Sequence, residues 1–286
     1  LSDSGGYQVF SLRGIRKLSE EGVEFRSHLD GSKQFLSPEI AVQVQDALGV
    51  DIAMVLDECP ASDLTESEVA RSLEMTLRWA ARCLAIERRP TLNLFGITQG
   101  GKFSHLRSRS AAELALLPFN GYAIGGLSVG EEKGVMYDVL SYHPEQLPHD
   151  KIRYLMGVGT PEDIITAVYN GVDLFDCVMP TRAGRFGRAF VEGEHPYINI
   201  KNAQFAEVDE PLSVGCSCIA CRRYSRAYIH HLFKSDEMLG PQLVSIHNVT
   251  YYLDLMARIR TAIEQGTFEA LYNEVKARWR NVGERV

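Results

Sequence analysis

RYLMGVGTPEDIITAVYNGVDLFD, residues 153–176, spells out one strand–helix–strand unit. The apolar run at its start has the length of a buried strand and gives way to Gly157 and Gly159. Thr160 can cap a helix whose first turn holds Pro161, Glu162 and Asp163. These residue types suit a helix end with unpaired N–H groups and partial positive charge. Gly171 can end that helix. VDLF, 172–175, is a second strand, and Asp176 follows it without a spacer. Two strands joined through a helix pair in parallel.

The same alternation extends toward the N-terminus. DIAMVL (51–56), LNLFGIT (92–98) and YAIGGL (122–127) read as buried strands. Helical patterns lie between them. TESEVARSLEMTLRWAARCLAIERR (65–89) opens with a capping box, Thr65 with Glu68, and sets Val69, Leu73, Leu77, Ala80 and Leu84 near one face. Further helices are predicted around 104–117 and from near Glu131. Asp57, Gln99, Gly125 with Gly126, Gly157 with Gly159, and Asp176 each fall just after a strand. In a closed barrel such strand ends meet at one mouth, where chemistry is done. In an open doubly wound sheet only those near a switch point would meet. The spread of polar residues over every strand end favours a TIM-type (β/α)8 barrel.

After Asp176 the rhythm breaks. RFGRAFVEGEHPYINI suggests a β-hairpin, a cysteine cluster follows, and from about Gln242 the pattern is helical again. The expected organisation is a barrel portion with the active site (1–190), a zinc-binding subdomain (191–247), and a helical segment completing the barrel (248–286).

At 286 residues and 45% apolar content the chain can bury a large core. No apolar run approaches the ~20 residues of a membrane span. The chain opens LSDSGGYQ, without an initiator Met, and reads as though further sequence precedes it. A net charge of −7 excludes a uniformly basic coat. Between Cys177 and Lys234, however, eight cations face five acids, a local excess of +3 on an acidic body. Six unevenly spaced cysteines point to a reducing, cytoplasmic setting rather than a secreted disulfide framework.

Cys216, Cys218 and Cys221 offer three thiolates in six residues, and His247 lies 26 residues beyond. Three sulfurs and an imidazole complete a closed tetrahedral Zn2+ site of structural type. His230 and His231 compete with His247 for the fourth position, and an unliganded surface cluster is the plainer alternative. Asp176 and Asp57, each ending an apolar strand, are costly there unless polar groups surround them. For Asp176 the plain alternatives are a helix cap or an ion pair with Arg182. Asp3 is a candidate third carboxylate. Convergent carboxylates suit glycosyl chemistry, in which one attacks the anomeric carbon and another moves a proton. Gly125, Gly126 and Leu127 offer backbone groups to a planar ligand, and Gln99 offers a donor and an acceptor to a base edge.

SDSGGYQVFSL, VLDECP, GITQGG, IGGLSVGE, YLMGVG, FDCVMPTRAGR and the CSCIAC cluster with His247 occur in this order. Together they resemble the bacterial tRNA-guanine transglycosylase (queuine tRNA-ribosyltransferase) family. The resemblance implies a TIM barrel with an inserted zinc-binding subdomain, here without the N-terminal strands that precede the counterpart of Asp3. It implies exchange of the wobble guanine of tRNA anticodons for 7-aminomethyl-7-deazaguanine (preQ1) through a covalent ribosyl-aspartate, in queuosine biosynthesis. By position, Asp176 would be the nucleophile and Asp3 the general acid/base. Asp57, Gln99, Gly126 and Leu127 would bind the base, sandwiched by Tyr7 and Met156. Arg182 and Arg185 would contact the tRNA anticodon loop, and Cys216, Cys218, Cys221 and His247 would hold Zn2+. Cys59 and Val129 match the bacterial pattern. Thr160 stands where many bacterial members have a lysine. A homodimer is expected by resemblance. The competing readings are a non-catalytic tRNA-binding partner subunit, a truncated inactive form, and a barrel glycosidase acting on sugars.

Overall fold

A computed structural model of the chain describes residues 1–6, 8, 16–27, 29–193 and 195–279. An antiparallel meander comes first: β1 (Arg16–Leu18), β2 (Val23–Arg26) and β3 (Lys33–Leu36). Helix α1 (Pro38–Ala47) begins at Ser37, whose hydroxyl accepts from the Ile40 amide. Five parallel strands follow: β4 (Ile52–Met54), β5 (Asn93–Thr98), β6 (Gly121–Ile124), β7 (Ile152–Leu155) and β8 (Leu174–Phe175). They lie side by side in chain order. A doubly wound sheet would reverse that order at a switch point; this one runs in a single direction, as half of a barrel.

Between consecutive strands run α2 (Glu66–Leu84), α3 (Ser104–Ala115), α4 (Lys133–Leu140) and α5 (Pro161–Tyr169). The Glu68 carboxylate accepts from both the Thr65 amide, at 2.9 Å, and the Thr65 hydroxyl, at 2.6 Å, which is the expected box at the start of α2. The helix ends at Leu84, short of the expected Arg89. Arg89 instead binds Asp46 at 2.5 Å and the Val50 carbonyl at 3.0 Å, drawing the chain toward β5. The sheet is covered on both faces, so its strands read as continuous apolar runs rather than alternating ones. Leu94, Phe95, Ile97, Tyr122, Ile124 and Leu155 are all essentially inaccessible. Each such side chain contributes about 1.5–3 kcal/mol by leaving water. In the ladder Thr98 pairs with Ile124, and Ile124 with Leu155. Gln99, Gly125 and Met156 therefore leave the sheet at one edge.

Beyond β8 come α6 (Met179–Arg185), the expected hairpin of β9 (Arg188–Phe190) and β10 (Tyr197–Asn199), then α7 (Ile219–Arg223), α8 (Arg226–Lys234), α9 (Leu239–Glu264) and α10 (Phe268–Trp279). The chain divides into two compact units: Leu1–Val158 with Asn170–Phe175, and Gly159–Tyr169 with Asp176–Val286. The first holds the parallel sheet. In the second, Ala189, Ile200, Phe205, Leu212, Ile229, Leu243 and Val244 belong to one buried apolar cluster. Helix α5 joins α10 there through Lys276–Glu162, at 2.9 Å, and a Tyr169–Tyr272 stack with centroids 4.5 Å apart. Helix α9 starts at Leu239, three residues before the expected onset, and runs unbroken through position 247/248, where a segment boundary was expected.

Candidate active site and metal centre

In the first unit Asp57 follows β4 and is buried. The next residue, Glu58, is bolted to α2: its amide donates to Thr76 Oγ1 at 3.0 Å, and its carbonyl accepts from Ser72 at 3.2 Å. Asp57 Oδ2 accepts from Gln99 Nε2 at 2.6 Å. Burial pushes the carboxyl up to about 7; the Gln99 hydrogen bond works against this, and the Asp3 carboxylate adds to it. Asp3 is brought close because Ser2 bridges Ala53 in parallel, its amide 3.0 Å from the Ile52 carbonyl. Chain 3–6 then lies over Asp57, where a Cβ on Gly6 would stand 2.7 Å from Oδ1.

Gln99 is equally enclosed, and its backbone amide donates to Ser110 Oγ on α3 at 3.1 Å. Among the described residues its Oε1 has no hydrogen-bond partner. A buried acceptor left unmet marks a place where a ligand donor fits. The Gly125–Gly126 turn packs directly on this carboxamide. A Cβ on Gly126 (φ +64°) would lie 2.3 Å from Gln99 Oε1, and one on Gly125 2.7 Å from Nε2. Leu127 is buried, and Met156 is half-buried with its amide 3.4 Å from the Ile124 carbonyl. Asp3, Asp57, Gln99, Gly126, Leu127 and Met156 all belong to the first unit. Tyr7 lies outside the described residues.

Sequence reasoning missed two residues in this unit. Arg107, on α3, is wholly buried and binds three carbonyls, those of Gly125 and Gly126 in the turn and that of Gly101 in the loop after β5. Its signal was visible, a cation on the apolar stripe of Leu106, Ser110, Ala111 and Leu114. Glu131 accepts from the amides of Ser128 and Val129, the latter at 2.9 Å, and borders a small hollow with Leu127, Val129 and Phe103.

Asp176 and the arginines belong to the second unit. Asp176 is exposed, and the N-cap of α6 is Val178, so Asp176 does not cap that helix. The next residue, Cys177, donates its thiol to the Gly159 carbonyl at 3.3 Å; Tyr252 donates to the same oxygen at 3.1 Å. Arg182 and Arg185 lie exposed on α6, whereas Arg188 sits over the Tyr197 ring at 4.4 Å.

Cys216, Cys218, Cys221 and His247 bring their ligand atoms within 4.8 Å of one another. His247 Nδ1 stands 3.6, 3.7 and 3.3 Å from the three sulfurs. A tetrahedral Zn2+ ion with usual bond lengths places sulfur and nitrogen ligands about 3.6 Å apart. His247 Nε2 lies 2.7 Å from the Phe190 carbonyl, so it carries the proton and leaves the Nδ1 lone pair facing the sulfurs. Burial opposes ionisation of Cys218, yet its thiol is held down to about 6, the Cys221 amide donating to its sulfur at 3.3 Å. The four residues can hold a metal ion. His230 is engaged elsewhere, its Nδ1 2.8 Å from the Ile200 carbonyl, and His231 lies outside the group.

The family model for queuine tRNA-ribosyltransferase matches residues 1–281. The chain belongs to that family. Among curated members, the queuine tRNA-ribosyltransferase of Symbiobacterium thermophilum is 52% identical over 281 residues, spanning 98% of this chain and 70% of that protein. That of Oleidesulfovibrio alaskensis is 55% identical over 270 residues, 94% of this chain and 71% of its own length. That of Cereibacter sphaeroides is 52% identical, with 97% and 74% covered. Among the described residues no helix is long and apolar enough to cross a membrane.

Proposed function

We propose that this queuine tRNA-ribosyltransferase family member is a tRNA-guanine transglycosylase of queuosine biosynthesis, exchanging the wobble guanine of target anticodons for 7-aminomethyl-7-deazaguanine. The observation that carries the base-recognition part of this reading is the buried Asp57–Gln99 pair packed on the Gly125–Gly126 turn. A carboxylate accepts from the ring and amino N–H groups of a guanine-type base, and the turn supplies backbone polarity for its other edge.

In the proposed reaction Asp176 attacks ribose C1′ as the bond to guanine N9 breaks and Asp3, as general acid, gives the departing N9 a proton, leaving a ribosyl ester. The incoming base then returns a proton from its N9 to Asp3 and displaces Asp176 from C1′. Two displacements at one carbon retain configuration. Met156 and Tyr7 are assigned to the faces of the base, and Arg182 and Arg185 to the anticodon phosphates. The ion of the Cys216, Cys218, Cys221 and His247 site is assigned as Zn2+ in a structural role, its four positions filled by protein. We further assign the half-barrel as part of a TIM barrel, the assembly as a homodimer and the setting as cytoplasmic.

The test is incorporation of labelled guanine into tRNA, with denaturing gels to trap a covalent complex. The native chain should exchange guanine, and Asp176→Ala should lose at least about a thousandfold in rate while keeping tRNA binding. Exchange persisting in that variant would overturn the assignment of the nucleophile. Binding without exchange by the native chain would instead leave a non-catalytic tRNA-binding subunit.

A further inference from the structure

The guanidinium of Arg107 has nothing to do in the reaction as described, yet it is fully enclosed. Among the described residues it makes no ion pair; all three of its hydrogen bonds go to backbone carbonyls. Nε donates to Gly101 at 2.8 Å, Nη1 to Gly125 at 2.7 Å, and Nη2 to Gly126 at 3.2 Å. Burying a cation is costly, and burial draws its pKa down to about 10. A side chain serving only as filler would be apolar.

The peptide bond is planar and trans, so each N–H points opposite to the carbonyl of the same peptide. Gripping the Gly125 oxygen therefore fixes the Gly126 N–H on the far side, and gripping the Gly126 oxygen does the same for Leu127 N–H. One helical turn on from Arg107, Ser110 holds the backbone of Gln99. One face of α3 thus braces both the backbone of Gln99 and the turn. A positive charge behind a carbonyl also strengthens the amide donor of the same peptide.

We propose that Arg107 is a positioning residue for base recognition, aiming the amide N–H groups of Gly126 and Leu127 at the acceptor edge of a purine-like base while Asp57 meets its donor edge. This rests on the base-exchange reading above. Guanine presents O6 and N7 as acceptors. With the grip released the peptides turn, and the preference for an oxo oxygen at that edge falls, whereas the carboxylate side is untouched.

The experiment compares guanine with 6-thioguanine, in which sulfur, a weak acceptor, replaces O6. Binding of each to the full chain is measured by calorimetry, and KM for base and for tRNA by exchange, in the native protein, Arg107→Lys and Arg107→Met. Both variants should bind guanine about tenfold more weakly while 6-thioguanine changes less than about threefold, with KM for tRNA unmoved. Lysine should retain more of the preference than methionine, since it still offers a cation to one carbonyl. Equal losses for both bases, a matching rise in KM for tRNA, or a lysine variant that does not fold would make Arg107 a framework residue and overturn the proposal. A native chain that binds neither base would instead sink the base-exchange reading itself.

Discussion

Asp57 takes its chemistry from its neighbours. Its pKa rises from 3.8 to about 7, burial first among the raising causes and the Asp3 carboxylate after it, against the pull of Gln99. An unfolded chain releases this proton near pH 4, so between about pH 4 and 7 the folded chain holds more protons than the unfolded one. The resulting stability is fully present below pH 4 and is lost as pH climbs through 7. Asp57→Asn removes that dependence. Urea unfolding at pH 5, 6.5 and 8 should give the variant a flatter profile and make it roughly 2–4 kcal/mol more stable than the native chain at pH 8. It should also bind guanine at least about tenfold more weakly. Base N–H groups need the ionised acceptor, so native affinity for guanine should rise as pH increases through about 7. At this scale the sequence was readable where a charge ended an apolar run, as with Asp57. It was less readable where a charge sat within a helix, as with Arg107, because only its carbonyl partners from two other loops reveal what it does.

Helix α9 joins two tasks in consecutive residues. His247 faces the three thiols, while Asn248, fully buried, ties α9 to two other segments, α6 and β9. Its Oδ1 accepts from the Phe190 amide at 2.9 Å, and its Nδ2 donates to the carbonyls of Pro180 and Arg188, both at 2.9 Å. Asn248→Ala strands these groups and should cost roughly 2–4 kcal/mol in urea unfolding. Withdrawing the proposed zinc should act on the same helix. Elemental analysis should give one zinc per chain, and chelation or Cys221→Ser should lower the thermal midpoint and weaken tRNA binding, because a closed site contributes folding free energy. The strands β4 to β8 and the helices between them were legible because buried parallel strands are continuous apolar runs and Thr65, Thr160 and Gly171 punctuate the helices. Asn248 was not, since its partners at Phe190 and Arg188 are about sixty residues away in the chain. Spacing alone left His230 open beside His247, the histidine the family resemblance pointed to; the fold occupies His230 with the Ile200 carbonyl.

Over the whole chain, an acidic total of −7 coexists with a stretch at 177–234 that carries +3. An acidic body repels RNA except where cations stand out, and Arg182 and Arg185 stand exposed on one short helix. Helix α6 packs closely on α9 in its own unit, where a Cβ on Gly184 would come within 2.6 Å of Ser245. Each arginine should engage phosphate as a point of positive charge on that helix. Arg182→Ala and Arg185→Ala should each reduce the slope of log affinity for tRNA against log salt by about one, with guanine binding unchanged. Gln99 adds a different lesson. Among the described residues its buried oxygen has no hydrogen-bond partner while its nitrogen holds Asp57, a standing cost of about 1–3 kcal/mol within the fold. Laboratory selection for heat resistance alone should therefore replace the buried carboxylate and its carboxamide together by apolar residues, since losing Gln99 by itself would strand Asp57.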